Sequence, residues 1–367
     1  MDQTGAVCII RASLQSVRLL TTVRTVAETM GIRVHDSEKA MTSSDSIPVR
    51  PACCAMVNFT VTAQQGAELV VEHQCNGELL ARECRPLAGG ATSLEIKTHP
   101  DSSHVACSLK VGDQSIDGVH FDVVCGQRIE PTGRNFIVIG AMKAGTTTLF
   151  HLLAQHPAIC RTYAEFPGAS DWKEINYFQK LYKKGDTALH YDWRFPFDAA
   201  HHEWTLDVST GYAMLPTGED VPSRIASIGG QTKLAYILRE PVDRIESNLA
   251  HILRKTGKVR SVIAYLGTSQ YALHLDRFTA HIPRENILLL DFHQLKRDPA
   301  AVQAQVCDFL GIDRFVAETG IHNTRGVDFQ LEAAQRARLA RILRPDVRRL
   351  INHYKFDPAR KWLQDLS

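Results

Sequence analysis

Asn135-Phe136-Ile137-Val138-Ile139-Gly140-Ala141-Met142-Lys143-Ala144-Gly145-Thr146-Thr147-Thr148-Leu149-Phe150-His151-Leu152-Leu153 is the stretch from which the rest of the chain can be read. Its opening run is apolar and rich in β-branched residues, the composition of a strand covered on both faces. Gly140 and Gly145 bracket a short turn, and Leu149, Leu152 and Leu153 then recur at helical spacing until Pro157 stops the pattern. A glycine-bearing turn between a strand and a helix N-terminus aims several backbone N–H groups at one point. The helix dipole adds positive potential there, so the stretch predicts a phosphate site. Lys143 adds a full charge, and Thr146, Thr147 and Thr148 add hydroxyl donors. The two glycines have the spacing of the nucleotide-triphosphatase loop, G-x-x-x-x-G-K-[ST], but Thr146 stands where that lysine belongs and Lys143 sits inside the turn.

Three further stretches bear on the same chemistry. Leu238-Arg239-Glu240-Pro241-Val242-Asp243-Arg244-Ile245-Glu246-Ser247 follows the apolar run Lys233 to Leu238, a predicted buried strand, and Pro241 suits the first turn of a helix. Arg239 then ends a strand, at the edge where open α/β sheets bind ligands. Its planar fork matches phosphate, and Ser247, two turns into the helix, adds a donor. Lys173-Glu174-Ile175-Asn176-Tyr177-Phe178 puts a carboxylate after the first loop, and Asn323-Thr324-Arg325-Gly326 puts a cation beside a flexible glycine further on.

Together these motifs resemble the sulfotransferases that use 3′-phosphoadenosine 5′-phosphosulfate (PAPS). The resemblance runs from about Asn135 to Gly326. It implies that Lys143, Ala144, Gly145 and the three threonines form the 5′-phosphosulfate loop, and that Arg239, Ser247, Arg325 and Gly326 hold the 3′-phosphate. Two anion sites at neighbouring strand ends would grip opposite ends of one doubly phosphorylated adenosine. Lys173-Glu174-x-x-Tyr177-Phe178 is similar to the element of the Golgi carbohydrate type and its bacterial relatives in which the glutamate is the general base. That assigns the acceptor proton to Glu174 and makes Lys143 the cation on the leaving phosphate. The same enzymes carry E-K-[ST]-P-x-Y after the middle strand, where this chain has Asp207-Val208-Ser209-Thr210-Gly211-Tyr212. The lysine and proline are missing, which weakens the case for a polysaccharide acceptor. Asp207 and Tyr212 are expected to line the acceptor side, and His251 is a substitute base of the kind used by the soluble hydroxysteroid and phenol enzymes. The resemblance implies PAPS as co-substrate, no metal, and a small-molecule or carbohydrate acceptor.

Working outward, the alternation of strands and helices after about residue 129 predicts an α/β domain, a P-loop-like parallel sheet with helices on both faces, over 129–367. Before it the period changes to two. Short alternating runs flank Asn76-Gly77, a strong hairpin signal, and predict a small antiparallel β-sandwich-like domain over 51–128. Residues 1–50 read ambiguously: a strand near Val7 to Ile10, an amphipathic helix from Ser13 to Met30 and a second strand from Ile32 suit a small βαβ-like piece, the arginines at 11, 18, 24 and 33 suit an organelle transit peptide, and Ser37 to Pro51 reads as a polar linker.

The 367 residues suffice for two cores, and a net charge of +2 gives no field for nucleic acid. No apolar run is long enough for a transmembrane helix. The nine cysteines show no C-x-x-C pairs, so a zinc site is not expected. The start of the sequence has neither the basic region nor the apolar run of a secretory signal. A cytoplasmic protein with reduced thiols is therefore expected, with the Golgi lumen or an organelle as the alternative if this chain is part of a longer one. Two other function classes remain open at this level. One is a nucleotide kinase or NTPase with a degenerate phosphate loop, against which the position of Lys143 argues. The other is a non-catalytic binding protein, against which the combination of Lys143, Glu174, Arg239 and Ser247 argues.

Overall fold

The computed structural model describes residues 10–13, 34–36, 56–63, 67–75, 78–87, 90–97, 99, 101–102, 104–111, 114–123, 133–162, 173–195, 197, 199–215, 220–258, 262, 265–318 and 329–365. They fall into two compact units.

The first unit is β-structure. Strands β1 (Ile10–Ser13), β2 (Val34–Asp36), β4 (Ala67–Cys75), β5 (Glu78–Pro86), β7 (His104–Val111) and β8 (Gln114–Val123) form a six-stranded sheet in the order β2-β1-β8-β7-β4-β5. Strands β3 (Met56–Ala63) and β6 (Gly90–Lys97) form a separate antiparallel pair. All pairings are antiparallel except β1 with β2. The predicted hairpin is present: Cys75 pairs with Glu78 across the two residues Asn76 and Gly77. Alternation buries Leu69, Val71 and His73 along β4. The N-terminal strands close one end of this sheet, with β2 at the edge and β1 between β2 and β8; the predicted linker over 37–51 and all but the first residue of the predicted helix over 13–30 lie outside the described residues.

This unit also takes in residues 185–195, which the linear division at residue 129 assigns to the α/β part. Thr187 and His190 close a capping box on the short helix Ala188–Asp192, and His190 contacts Asp101 at 3.1 Å. Trp193 meets the rings of His73 (5.0 Å) and His99 (4.8 Å) edge-on. His73 is fully buried and shares a 3.0 Å hydrogen bond with Glu83, which also accepts from Arg85 at 2.8 Å. Burial and the charge of Arg194 push the His99 imidazole down to about 3, so its ring is neutral.

The second unit is the predicted α/β domain. Strands β9 (Arg134–Gly140), β10 (Ile159–Arg161), β11 (Trp204–Val208), β12 (Gln231–Leu238) and β13 (Ile287–Asp291) form a parallel sheet in the order β10-β11-β9-β12-β13. Phe136 to Ile139 and Leu234 to Leu238 are all fully buried, as parallel strands flanked by helices require. The helices are α1 (Thr146–Leu153), α2 (Val221–Ser227), α3 (Pro241–Thr256), α4 (Tyr271–Thr279), α5 (Phe292–Arg297), α6 (Pro299–Leu310), α7 (Ala333–Asn352) and α8 (Ala359–Asp365). Every strand runs the same way, so the C-terminal ends of β9, β11 and β12 open on one edge, and the loop at Gly140–Gly145, the stretch Ser209–Tyr212 and Arg239 follow those ends. Among the described residues no helix is long and apolar enough to cross a membrane.

Candidate active site

The loop after β9 runs from Ala141 to Gly145 and is pinned at its entry, where Ala141 N donates to Ile237 O on β12 at 2.9 Å. Lys143 and Gly145 both adopt left-handed backbone, with φ of 71° and 87°. At Gly145 the reason for glycine is also steric. A Cβ there would lie 3.1 Å from Leu295 Cδ2 and 3.2 Å from Phe292 Cδ2, both on α5. The chain therefore turns tightly against α5 before Leu149 N donates to Gly145 O (3.1 Å) and α1 begins. Thr146 is buried at the first turn, while Thr147 and Thr148 are half-buried.

Arg239 leaves the end of β12 and reaches this loop directly: its Nη1 donates to Lys143 O at 3.2 Å. Its guanidinium also lies 4.8 Å from the centroid of Phe292. Phe292 thus supports both Gly145 and Arg239, and Arg239 lies against the loop that carries Lys143. Arg239 Nε is buried with no hydrogen-bond partner. Burial pushes the Lys143 ammonium below the ordinary lysine value, and the charges of Arg254, Arg239 and Lys173 push the same way. A cluster of like charges with an unsatisfied donor is destabilising until an anion enters, so the residues present fit a phosphate-bearing ligand.

Helix α3 follows Arg239. Glu240 caps it by accepting from Asp243 N (2.5 Å), and Pro241 occupies its first turn. Ser247, His251 and Arg254 follow at helical spacing on one side. Partial desolvation, and then the charges of Lys143, Arg254 and Lys255, lower the pKa of His251. Neutral imidazole is therefore the form present at pH 7. Arg325 and Gly326 lie outside the described residues.

Glu174 sits where the β11 end meets the segment preceding a π-helical turn, Tyr177–Leu181. Its carboxylate accepts from Lys173 Nζ at 2.8 Å, and Thr210 Oγ1 lies 3.1 Å from each of its oxygens. Lys173 is buried while Glu174 stays half-buried, so the carboxylate is fixed and still reachable. The next residues are tied to β11. Asn176 N donates to Ser209 Oγ (2.9 Å) and Phe178 N to Tyr212 OH (3.4 Å). Ser209 Oγ and Tyr212 OH both donate onward to Asp207, at 2.6 and 2.7 Å. Asp207 and Tyr212 are completely buried. Burial and the Asp207 charge hold the Tyr212 phenol well above its usual value. Both side chains therefore brace the Glu174 segment from behind, which differs from the expected place on the acceptor surface.

Sequence reasoning missed three residues at this centre. Thr210 replaces the proline of the resembled motif and grips Glu174. Lys173 supplies a cation beside Glu174, although the lysine expected from that motif is replaced by Val208, which is fully buried. Phe292 follows β13 in an otherwise unremarked stretch, and only the fold brings it under Gly145. No group of three or more metal-ligating side chains is assembled among the described residues.

A sulfotransferase-domain family model matches residues 134–337, more than half of the chain. The human bifunctional heparan sulfate N-deacetylase/N-sulfotransferase 3 is 28% identical over 203 residues, covering 48% of this chain and 22% of that protein. The mouse heparan sulfate glucosamine 3-O-sulfotransferase 6 is 26% identical over 197 residues, 50% of this chain and 53% of that one. This chain thus spans between about a fifth and about half of the length of these relatives. A solved sulfotransferase from Alicyclobacillus acidocaldarius is 25% identical with a TM-score of 0.45, over 59% of this chain and 94% of that one. With a family model that matches from the start of β9 into α7 and covers the strand–loop–helix around Lys143, the chain belongs to the sulfotransferase family.

Proposed function

We propose that this protein transfers a sulfuryl group from PAPS to a hydroxyl or amine of an acceptor, with Glu174 as general base. The observation that carries the reading is the contact of Arg239 with the carbonyl of Lys143, which brings the two motifs side by side and supports a shared donor site. PAPS would supply an activated sulfuryl group on a phosphate leaving group. Lys143, the N-terminus of α1 and the Thr146 to Thr148 hydroxyls would hold its 5′ end. Arg239 and Ser247, with Arg325 and Gly326 by resemblance, would hold the 3′-phosphate.

Glu174 takes the proton of the acceptor. Thr210 and Lys173 fix its carboxylate in one orientation, which removes the entropic cost of placing the base. Lys143 sits where negative charge develops on the leaving phosphate, a fixed cation in a partly dry site. Lys173 adds a second cation close to both, standing in for the lysine absent at Val208. That restores the case for a carbohydrate acceptor, and the heparan sulfate enzymes among the relatives support it. Asp207 and Tyr212 keep the Glu174 segment on the sheet, and His251 is a neutral imidazole on α3.

Calorimetric titration with adenosine 3′,5′-bisphosphate against ATP tests the donor, and turnover with labelled PAPS over a panel of glucosamine-containing and small hydroxyl acceptors tests the transfer. Binding of the bisphosphate with no binding of ATP supports the reading. Tight ATP binding with Mg²⁺-dependent hydrolysis would replace it with the kinase class.

A further inference from the structure

Arg244 lies one turn into α3 and is completely buried. All of its hydrogen-bond partners are uncharged. Nε donates to Ser269 Oγ (2.5 Å), and Nη2 donates to Thr268 Oγ1 (2.6 Å) and Tyr265 O (3.2 Å). Nη1 has no partner. A guanidinium stays protonated even when dry, so this is a buried positive charge without a carboxylate among its partners. Such a charge is costly, and proteins normally pair it.

Its location gives the cost a purpose. Arg244 lines a small cavity whose other walls include Ala141 and Met142 of the phosphosulfate loop, Thr210, which grips Glu174, and Tyr236 and Thr268. Burial is the main force pushing the Arg244 pKa down, and the Arg239 charge adds a smaller push the same way. The helix turns Arg244, Ser247 and His251 to the same side.

We propose that Arg244 is a charge-positioning residue of the donor site: a guanidinium held dry and without a counter-ion behind the loop, whose field joins that of Lys143 and Arg239 and is balanced when an anionic donor binds. The proposal rests on the donor reading above. A charge acting across about 10 Å at an effective dielectric near 20 changes affinity by roughly tenfold. Because the charge is buried, salt screens it little.

The test uses the full chain with Arg244→Met and Arg244→Lys, titrated with adenosine 3′,5′-bisphosphate and with adenosine at low and high salt, and melted without ligand. Removing the guanidinium orphans none of its partners, since Thr268 Oγ1 also donates to Tyr265 O (2.8 Å) and Ser269 Oγ to Pro241 O (3.2 Å). Arg244→Met should therefore melt at or above the wild-type temperature, as apolar replacement of a buried charge often does. It should bind bisphosphate roughly tenfold more weakly, by the same factor at both salts, with adenosine affinity unchanged. Arg244→Lys should recover most of the loss. Undiminished bisphosphate binding by Arg244→Met overturns the proposal. So does a loss shared equally by adenosine, accompanied by a lower melting temperature and not recovered by lysine, which marks a structural role. Failure of the wild-type chain to bind bisphosphate overturns the donor reading itself, a result distinct from either of these.

Discussion

Gly145→Ala separates two demands that the loop makes of one residue. The first is conformational: φ is 87°, a region that costs an L-residue about 1–2 kcal/mol. The second is steric. The added Cβ would stand 3.1 Å from Leu295 Cδ2 and 3.2 Å from Phe292 Cδ2, tighter than ordinary carbon contacts, so both side chains must give. Leu295 is buried, and overpacking of this kind costs typically about 1–3 kcal/mol. The expected destabilisation is roughly 2–4 kcal/mol, a fall in melting temperature on the order of 5–10 °C. Displacing Phe292 also removes support from the Arg239 guanidinium, so affinity for adenosine 3′,5′-bisphosphate should fall about fivefold. Denaturant titration and calorimetry read the two effects. Adding Leu295→Ala then relieves the contact but not the backbone strain, so the double variant should be less destabilised than the sum of the singles. An unchanged melting temperature and bisphosphate affinity for Gly145→Ala, or strict additivity in the cycle, would refute the described packing of the loop on α5.

Glu174→Gln keeps the side-chain shape and removes the base. Steady-state assays should show kcat lowered about 100-fold or more while calorimetric bisphosphate affinity stays near wild type, and an unaltered kcat would exclude Glu174 as base. Thr210→Val removes one charge-assisted hydrogen bond and little volume, so kcat should drop about tenfold with the melting temperature nearly unchanged. Glu240 is raised to about 7, first by burial and further by the charge of Asp243. A carboxyl that holds its proton more tightly folded than unfolded favours folding below about pH 4.5, and that contribution is lost as pH rises through about 7. Denaturant midpoints should therefore show Glu240→Gln gaining stability relative to wild type between acidic and mildly alkaline pH, and parallel curves for the two proteins would contradict the raised value.

The strand, turn and helix from Arg134 to Leu153 were legible because each signal is local: an apolar run, two glycines, and a helical repeat. Arg239 was legible for the same reason, since a strand end and Pro241 fix its place. Its contact with Lys143 O was not, because it depends on β9 and β12 being neighbours in the sheet. Lys173 beside Glu174 reads in a sequence as a solvated pair, and burial alone turns it into part of the site. Asp207 and Tyr212 were expected to face the acceptor because their spacing matches a motif. Spacing says nothing about which way a side chain faces, and the hydrogen bonds that Asp207 accepts from Ser209 and Tyr212 accepts from Phe178 N point them inward. Residues 185–195 could not be assigned to the β-unit from the sequence, because their partners His73, His99 and Asp101 stand far back along the chain.

That last arrangement has a temporal consequence. The β-unit is discontinuous, so a ribosome must have released Trp193 before His73 and His99 find their ring partner, and His190 must travel 89 positions back to meet Asp101. By then β9, the loop and α1 have already been synthesised. Long loops must close before such contacts reward closure. The leading unit should thus mature late although its strands emerge first, and a released chain ending near residue 130 should resist protease less well than one ending beyond residue 200.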